Sequence, residues 1–264
     1  MVFEVFNDTR DKAALLFFVF IYIGLGVLLF VFQEKIIYQP SNQEFNSCPD
    51  FREADTVTYQ HTRLYHKNIS RKIVVFYHGN GGSACDRAFL AQFFQQRGYS
   101  YVVPEYAGYS NDNQAPSHNL IARNVQDTGD YLETQDYDEI LIVGESIGSL
   151  FASYHASLSQ PDGVLLISPL TTLQEVARRR LWFYPTSILV KSPFSNSDLL
   201  NSFNGPVTIL HGDKDAIVPY EMGEKLFRSL NTSQKKFIRI PNVGHNDIFE
   251  SPQTWDSLHE FLVR

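Results

Sequence analysis

The feature that most constrains this chain is an unbroken run of twenty uncharged residues near its N-terminus, Ala13–Phe32. With a rise of 1.5 Å per residue, a helix of that length is about 30 Å long, which matches the hydrocarbon core of a bilayer. A cleaved signal peptide is the alternative, but its apolar region usually has about 7–15 residues and ends at small residues. We therefore expect residues 1–40 to form an uncleaved membrane anchor whose helix, at about 13–32, stands apart from the rest of the protein.

The charges beside this run indicate how the anchor is oriented. Arg10 and Lys12 precede it, whereas Lys35 is the one positive residue that closely follows it. Because positively charged flanks stay on the cytoplasmic side, the difference favours a cytoplasmic N-terminus. We predict a single-pass membrane protein whose remaining residues, 41–264, lie on the non-cytoplasmic side.

The composition excludes several other classes of protein. Lys and Arg number 22 against 29 Asp and Glu, which gives a net charge of −7. A protein that binds a nucleic-acid duplex needs a basic face, so nucleic acid is excluded as a partner. The two cysteines, Cys48 and Cys85, are too few for a disulfide framework or a four-ligand zinc site. We expect two free thiols, with a single bridge in an oxidising compartment as the alternative, and we expect no bound metal.

Residues 41–264 alternate between short apolar runs and helical stretches. Runs such as Ile73–Tyr77 and Ile140–Val143 lack a polar alternation, which is typical of strands buried on both faces of a parallel sheet. Strands that alternate with helices predict an α/β fold with a mostly parallel central sheet flanked by helices.

The strongest motif is the sequence G-E-S-I-G at residues 144–148, directly after one of these apolar runs and before a helical stretch. A serine on a sharp turn from a strand to a helix is lifted above the sheet, where it can act as a nucleophile. The N–H of the next residue, Ile147, then points at the reacting carbonyl and can stabilise an oxyanion. We therefore predict Ser146 as the catalytic nucleophile.

A serine nucleophile needs a histidine base and an acid that orients the histidine. His245 follows the last predicted strand, and Asp213 and Asp215 follow the strand before it, so the order along the chain is serine, acid, histidine. We favour Asp215 as the acid, because Asp213 lies in the tight turn after Gly212, where a turn-capping role is sufficient.

A glycine-rich segment, His78–Gly82, ends the early apolar strand. Glycines let backbone N–H groups approach a substrate oxygen closely, which would complete an oxyanion hole together with Ile147. We predict Asn80 as the second donor, with Gly81 as the alternative.

On these motifs the chain resembles the α/β-hydrolase superfamily, and in particular its membrane-anchored Bem46-like branch, which is often grouped with serine aminopeptidase-like hydrolases. The resemblance implies an α/β-hydrolase fold, a triad of Ser146, Asp215 and His245, and no cofactor. One departure concerns the loop that follows the fourth strand, where Ala107 replaces the arginine of the family and Ser110 replaces a glycine.

Residues 170–204 interrupt the alternation of strands and helices and carry apolar side chains such as Trp182 and Phe183. We expect this insertion to form a small lid above Ser146 that shapes an apolar acyl pocket.

The function predicted from the sequence is that of a membrane-anchored serine hydrolase. It would cleave carboxylic acyl esters, either small molecules or lipids, through an acyl-enzyme intermediate. Two alternatives remain, namely a thioesterase or peptidase that uses the same triad, and a membrane-bound interaction protein without activity.

Overall fold

A computed structural model of the chain describes residues 9–51 and 54–264, with side chains from Asp11 onward, so the first eight residues of the predicted anchor lie outside it. The N-terminal helix α1 (Thr9–Ile37) is longer than predicted, and its apolar part has a mean hydropathy of 2.9. By length and composition, α1 can cross a membrane. The described part of α1 before Tyr22 is exposed and stands apart as expected, whereas the part from Tyr22 onward contacts the insertion at residues 170–204, which differs from the expectation for the whole helix.

The described residues form an eight-stranded sheet and a separate pair of two-residue strands. The strands are β1 (Gln39–Pro40), β2 (Asp55–Tyr59), β3 (Thr62–Lys67), β4 (Lys72–Tyr77), β5 (Gly81–Gly82), β6 (Ser100–Glu105), β7 (Glu139–Glu145), β8 (Gly163–Ile167), β9 (Val207–Gly212) and β10 (Lys235–Ile240). Across the large sheet the order is β10-β9-β8-β7-β4-β6-β3-β2, and β1 pairs with β5.

The sheet is parallel from β10 to β6, and only β3 and β2 are antiparallel to their neighbours. The chain adds β6 on one side of β4 and then crosses over to add β7 on the other side. This change of direction is a topological switch point, and parallel α/β sheets bind their ligands beside the carboxyl ends of the strands at such a point. The segments that follow β4 and β7 are therefore brought together there.

Helices cover both faces of the sheet and enclose two apolar cores. After α1 they are α2 (Ala88–Gln95), α3 (His118–Glu133), α4 (Gly148–Ser159), α5 (Leu173–Arg180), α6 (Thr186–Leu189), α7 (Asn196–Leu200), α8 (Tyr220–Ser229) and α9 (Pro252–Leu262). The insertion at residues 170–204 thus contains α5, α6 and α7. Its last part belongs to the core, since Phe194 and Leu200 are buried.

The two cysteines are paired, so the expectation of free thiols is wrong. Cys48 and Cys85 form a disulfide with their Cα atoms 5.8 Å apart, a spacing ordinary for such a bond. The bond attaches the segment after the anchor to the short helical turn that precedes α2. The pairing could not be read from the spacing of the two cysteines, because it depends on where the connection after α1 lies on the sheet.

Helix α4 carries a buried histidine, His155, on the side that packs against the sheet. His155 is 1% exposed, and its Nδ1 lies 2.8 Å from the hydroxyl of Tyr77 on β4. Burial disfavours the charged imidazole and lowers the pKa of His155 from 6.5 to about 4.

We expect the protein to lose stability as the pH falls from about 6.5 towards 4. Below pH 6.5 the unfolded chain binds a proton that the buried imidazole does not accept, so protonation favours unfolding by up to roughly 3 kcal/mol at pH 4. Thermal unfolding at a series of pH values should show a shallower pH dependence for His155→Gln than for the parent. The matched control is His61→Gln, because the side chain of His61 is 64% exposed. Equal pH dependence in all three proteins would contradict this account.

Candidate active site

The turn between β7 and α4 holds Ser146 in a backbone conformation that few non-glycine residues adopt. Its φ is +52°, and its N–H donates to the carbonyl of Ile167 on β8 at 2.8 Å. The two glycines of the motif allow the turn, because a Cβ at Gly148 would lie 2.3 Å from the carbonyl oxygen of Tyr77 and one at Gly144 would lie 2.6 Å from the Cβ of Ala152. Tight packing of α4 on the ends of β4 and β7 therefore stabilises the strained serine.

The three residues predicted to form the triad lie in one hydrogen-bonded chain. The Nε2 atom of His245 is 2.9 Å from the Oγ of Ser146, and its Nδ1 is 2.6 Å from Oδ2 of Asp215. Since a carboxylate only accepts, Nδ1 carries the hydrogen that is donated to Asp215, and Nε2 is left to accept the hydroxyl proton of Ser146. This is the tautomer that a general base needs.

Asp215 is held as a carboxylate in a buried place. Burial by itself raises the pKa of this carboxyl group, but hydrogen bonds from His211 and His245 and the backbone N–H of Val218 outweigh it and hold the pKa well below its usual value. The other oxygen, Oδ1, accepts from the N–H groups of Ile217 and Val218 at 2.9 and 2.7 Å. The carboxylate therefore stays charged and fixed beside the imidazole.

Asp213 has partners other than His245. It accepts hydrogen bonds from the guanidinium of Arg239 and, at 2.7 Å, from the N–H of Asn242. These contacts join the turn after β9 to the turn after β10, which carries His245 three residues after Asn242. The geometry thus assigns Asp213 to the support of the loops rather than to the hydrogen-bonded chain.

The segment after β4 lies beside Ser146, at the end of the neighbouring strand. Ile147 occupies the position before the first turn of α4, where backbone N–H groups have no partner within the helix. The side chain of Asn80 is occupied elsewhere: its amide donates to the carbonyl of Ile37, and its oxygen accepts from Gln39 N–H and from the hydroxyl of Tyr109. Because this side chain is tied to the exit of α1, we take the backbone N–H of Asn80 as the candidate donor to a substrate.

Sequence reasoning did not identify two side-chain interactions near the site, one of them partly buried and the other buried. Glu145, beside the nucleophile, accepts two hydrogen bonds from Arg87 at 2.7 and 2.9 Å. Glu105, at the end of β6, accepts from the hydroxyl of Ser110 at 2.6 Å, so the serine that replaces the family glycine gains a defined partner. A glutamate inside the G-x-S-x-G motif was a signal for the first pair, but nothing in the sequence pointed to Arg87.

Comparisons with known proteins agree with this architecture. No family model matches the chain. An uncharacterized protein of Mycobacterium tuberculosis is 28% identical, covering 91% of this chain and 92% of its own length. The lysophosphatidylserine lipase ABHD12 of Danio rerio is 26% identical over 73% of this chain, which spans 58% of that enzyme. An uncharacterized membrane protein of Saccharomyces cerevisiae is 24% identical, covering 89% of this chain and 90% of its own.

Among solved structures, the Pyrococcus furiosus esterase Pf2001 superposes with a TM-score of 0.67 at 18% identity, covering 86% of this chain and 97% of the esterase. Est1E from Butyrivibrio proteoclasticus, with bound ferulic acid, gives a TM-score of 0.65 at 20% identity over 80% of this chain and 98% of its own. These structures show that the chain has the α/β-hydrolase fold, as the sequence predicted. Together with α1, the relatives support a membrane location.

We expect Asp215→Asn to lower the turnover of a p-nitrophenyl ester by about 10⁴-fold, because an amide would hold the imidazole in the wrong tautomer. The matched control is Asp213→Asn. This change removes a carboxylate two residues away and leaves the hydrogen bond between Asp215 and His245 intact. Steady-state kinetics of the two variants measure the difference. A large loss in Asp213→Asn with little change in Asp215→Asn would show that the acid has been assigned to the wrong residue.

Proposed function

We propose that this protein, which has the α/β-hydrolase fold, is a membrane-anchored serine hydrolase that cleaves carboxylic acyl esters. The observation that carries the proposal is the hydrogen-bonded chain from Ser146 through His245 to Asp215, with its serine on a strained turn at the switch point of the sheet. The esterases and lipases among the relatives and structural neighbours support an ester substrate.

In the first half of the reaction, Nε2 of His245 takes the proton of Ser146 as the serine oxygen attacks the ester carbonyl. Asp215 stabilises the positive imidazolium that forms. The negative charge on the carbonyl oxygen is met by the backbone N–H groups of Ile147 and Asn80. His245 then gives its proton to the leaving alcohol, and the acyl group remains on Ser146.

In the second half, water replaces the alcohol. His245 removes a proton from the water, which attacks the acyl-enzyme through a second tetrahedral intermediate in the same oxyanion site. The acid leaves as Ser146 recovers its proton from His245. No step requires a metal or an organic cofactor.

The substrate class we propose is a lipid or other amphiphilic acyl ester. The catalytic domain begins directly after a helix that can cross a membrane, so membrane lipids are at high local concentration. The relative ABHD12 is named as a lipase of a lysophospholipid, which agrees with this class. A thioesterase or peptidase would use the same residues, because the fold and the triad do not select the leaving group.

We further propose that the catalytic domain lies on the non-cytoplasmic side of the membrane. The disulfide between Cys48 and Cys85 supports this side, because such bonds persist in oxidising compartments and are rare in the cytosol. The excess of positive charge before the uncharged run, with Arg10 and Lys12 ahead of it and Lys35 after it, favours the same orientation.

The proposed chemistry predicts that a fluorophosphonate probe labels the native protein and that Ser146→Ala abolishes the labelling. Hydrolysis of a p-nitrophenyl ester should fall by about 10⁶-fold in the same variant, as for other serine triads. Ser149→Ala is the matched control, since Ser149 lies one turn along α4 and bonds to Asn196 instead. Labelling that persists in Ser146→Ala would exclude Ser146 as the nucleophile.

Matched substrates then separate the remaining alternatives. An ester, a thioester and an amide with the same acyl group should be cleaved with kcat/KM highest for the ester. A higher kcat/KM for the thioester or the amide would favour the alternative leaving group while keeping the triad. Absence of labelling and of all three activities would favour a protein without catalytic function.

The orientation can be tested with a thiol-reactive polyethylene glycol added to denatured membranes from cells that were quenched with acid, so that thiols neither oxidise nor exchange beforehand. We expect the native chain to gain no mass without a reductant and two additions after reduction. The matched control, Cys48→Ser, leaves Cys85 unpaired and should be modified without a reductant. Two additions to the native chain before reduction would place the domain in a reducing compartment.

A further inference from the structure

The insertion at residues 170–204 does not stand free above the sheet but packs against the membrane helix. Its central part, residues 181–191, is here called the lid tip. The ring of Tyr184 stacks on that of Tyr22 in α1, with centroids 4.4 Å apart, and each hydroxyl bonds to a carbonyl across the contact. Tyr184 donates to Tyr22 at 2.8 Å, and Tyr22 donates to Phe183 at 2.6 Å.

The contact continues along one face of α1 towards its C-terminal end. One turn after Tyr22, Gly26 leaves room for the ring of Tyr184, since a Cβ there would lie 3.2 Å from the ring. Two turns further, Oε1 of Gln33 accepts from the N–H of Lys191 at 2.6 Å, and the Lys191 ammonium lies 3.8 Å from the ring of Phe30. These helix positions are three to four residues apart, so they share one face.

The position of this contact along α1 sets its depth in the bilayer. Tyr22 lies ten residues before Phe32, the end of the uncharged run, which corresponds to about 15 Å along the helix. Because the hydrocarbon core is about 30 Å thick, a helix that fills it with Ala13–Phe32 places Tyr22 near the middle. The part of the lid tip that stacks on Tyr22 is then surrounded by the same lipids.

The chemistry of the lid tip suits that environment. Trp182, Phe183 and Ile188 are 80%, 49% and 73% exposed, an apolar surface continuous with that of α1. The backbone N–H groups of Tyr184, Thr186, Ile188, Leu189 and Val190 bond to carbonyls within the tip. This matters because an unsatisfied backbone group in hydrocarbon costs several kcal/mol.

Positively charged residues lie at the end of α5, directly before the lid tip begins. Arg178, Arg179 and Arg180 end that helix with exposed side chains. Long arginine side chains can keep their guanidinium groups at the level of lipid phosphates while their stems cross apolar surroundings. A groove of about 240 Å³ between α1 and α6, walled by Val27, Phe30, Pro185 and Leu189 among others, is open to the same lipids.

We propose that the lid tip is a second membrane-embedded element, which dips into the leaflet nearest the catalytic domain with acyl chains of bilayer lipids as its partner. Arg178–Arg180 then meet the lipid phosphates above it. This proposal rests on α1 crossing the bilayer and is independent of the chemistry at Ser146. If the insertion also borders Ser146, as the sequence predicts, its tip would lie among the lipid substrates of the proposed reaction.

The test uses the two tryptophans of the chain. In the full-length variant Trp255→Phe, Trp182 is the one remaining tryptophan. In the full-length variant Trp182→Phe, Trp255 remains, and its Nε1 donates to the carbonyl of Phe249 within the catalytic domain at 2.8 Å. Each variant is reconstituted into phosphatidylcholine vesicles with or without bromine atoms in the acyl chains. We expect Trp182 to lose about half or more of its emission to bromines placed within the hydrocarbon core, and Trp255 to lose almost none.

A matched pair of glycines in α1 tests the contact itself. In the Trp255→Phe background, Gly26→Leu should push Tyr184 away and reduce the quenching of Trp182 at least twofold. Gly24→Leu should leave it unchanged, because a Cβ at Gly24 has nothing within 4 Å.

Each outcome decides a different part of the proposal. If the protein floats with the vesicles and Trp182 is quenched no more than Trp255, the lid tip lies in water and the proposal is wrong. Equal quenching in the two glycine variants would show that the contact with α1 does not position the tip. Failure to float would overturn the membrane role of α1 and the proposal with it, whereas fluorophosphonate labelling of Ser146 would be unaffected.

Discussion

The close approach of α4 to the ends of β4 and β7 is the constraint on which the site depends. Two glycines make it possible, because a Cβ at Gly144 or Gly148 would overlap with atoms of the neighbouring elements. The same approach stabilises the positive φ of Ser146 and brings the N–H of Ile147 to the side of the segment that follows β4. The proposed nucleophile and the proposed oxyanion donors therefore come from one packing arrangement at the switch point of the sheet.

The membrane helix is part of this arrangement rather than a simple tether. Its last carbonyl, that of Ile37, accepts a hydrogen bond from the side chain of Asn80, and the next residues, Gln39 and Pro40, pair with Gly81 and Gly82. The disulfide from Cys48 to Cys85 fixes the following segment a few residues further on. The loop proposed to stabilise the oxyanion is thus held between the sheet and the exit of α1, and its backbone has little freedom to reorganise during a reaction.

Much of the fold and the candidate site could be predicted from the sequence, because their signals are local. An uncharged run of membrane length, apolar strands and the motif around Ser146 each follow from neighbouring residues. The disulfide and the contact of Tyr184 with Tyr22 could not be predicted, since each joins segments whose positions depend on the complete fold. The choice between Asp213 and Asp215 is intermediate. Turn chemistry in the sequence favours Asp215, but only the three-dimensional geometry shows that Asp213 bonds to Arg239 while Asp215 bonds to His245.

The contacts of α1 also bear on how the site meets its substrate. One face of the helix holds the lid tip through Tyr22, Gly26 and Gln33, while its C-terminal end holds Asn80. A change in the tilt or depth of α1 would therefore act on both the lid tip and the oxyanion loop. Because a spanning helix can accommodate a mismatch with the local bilayer thickness by tilting at a modest energetic cost, these contacts physically link the lipid environment of α1 to the lid tip and to the loop of Asn80.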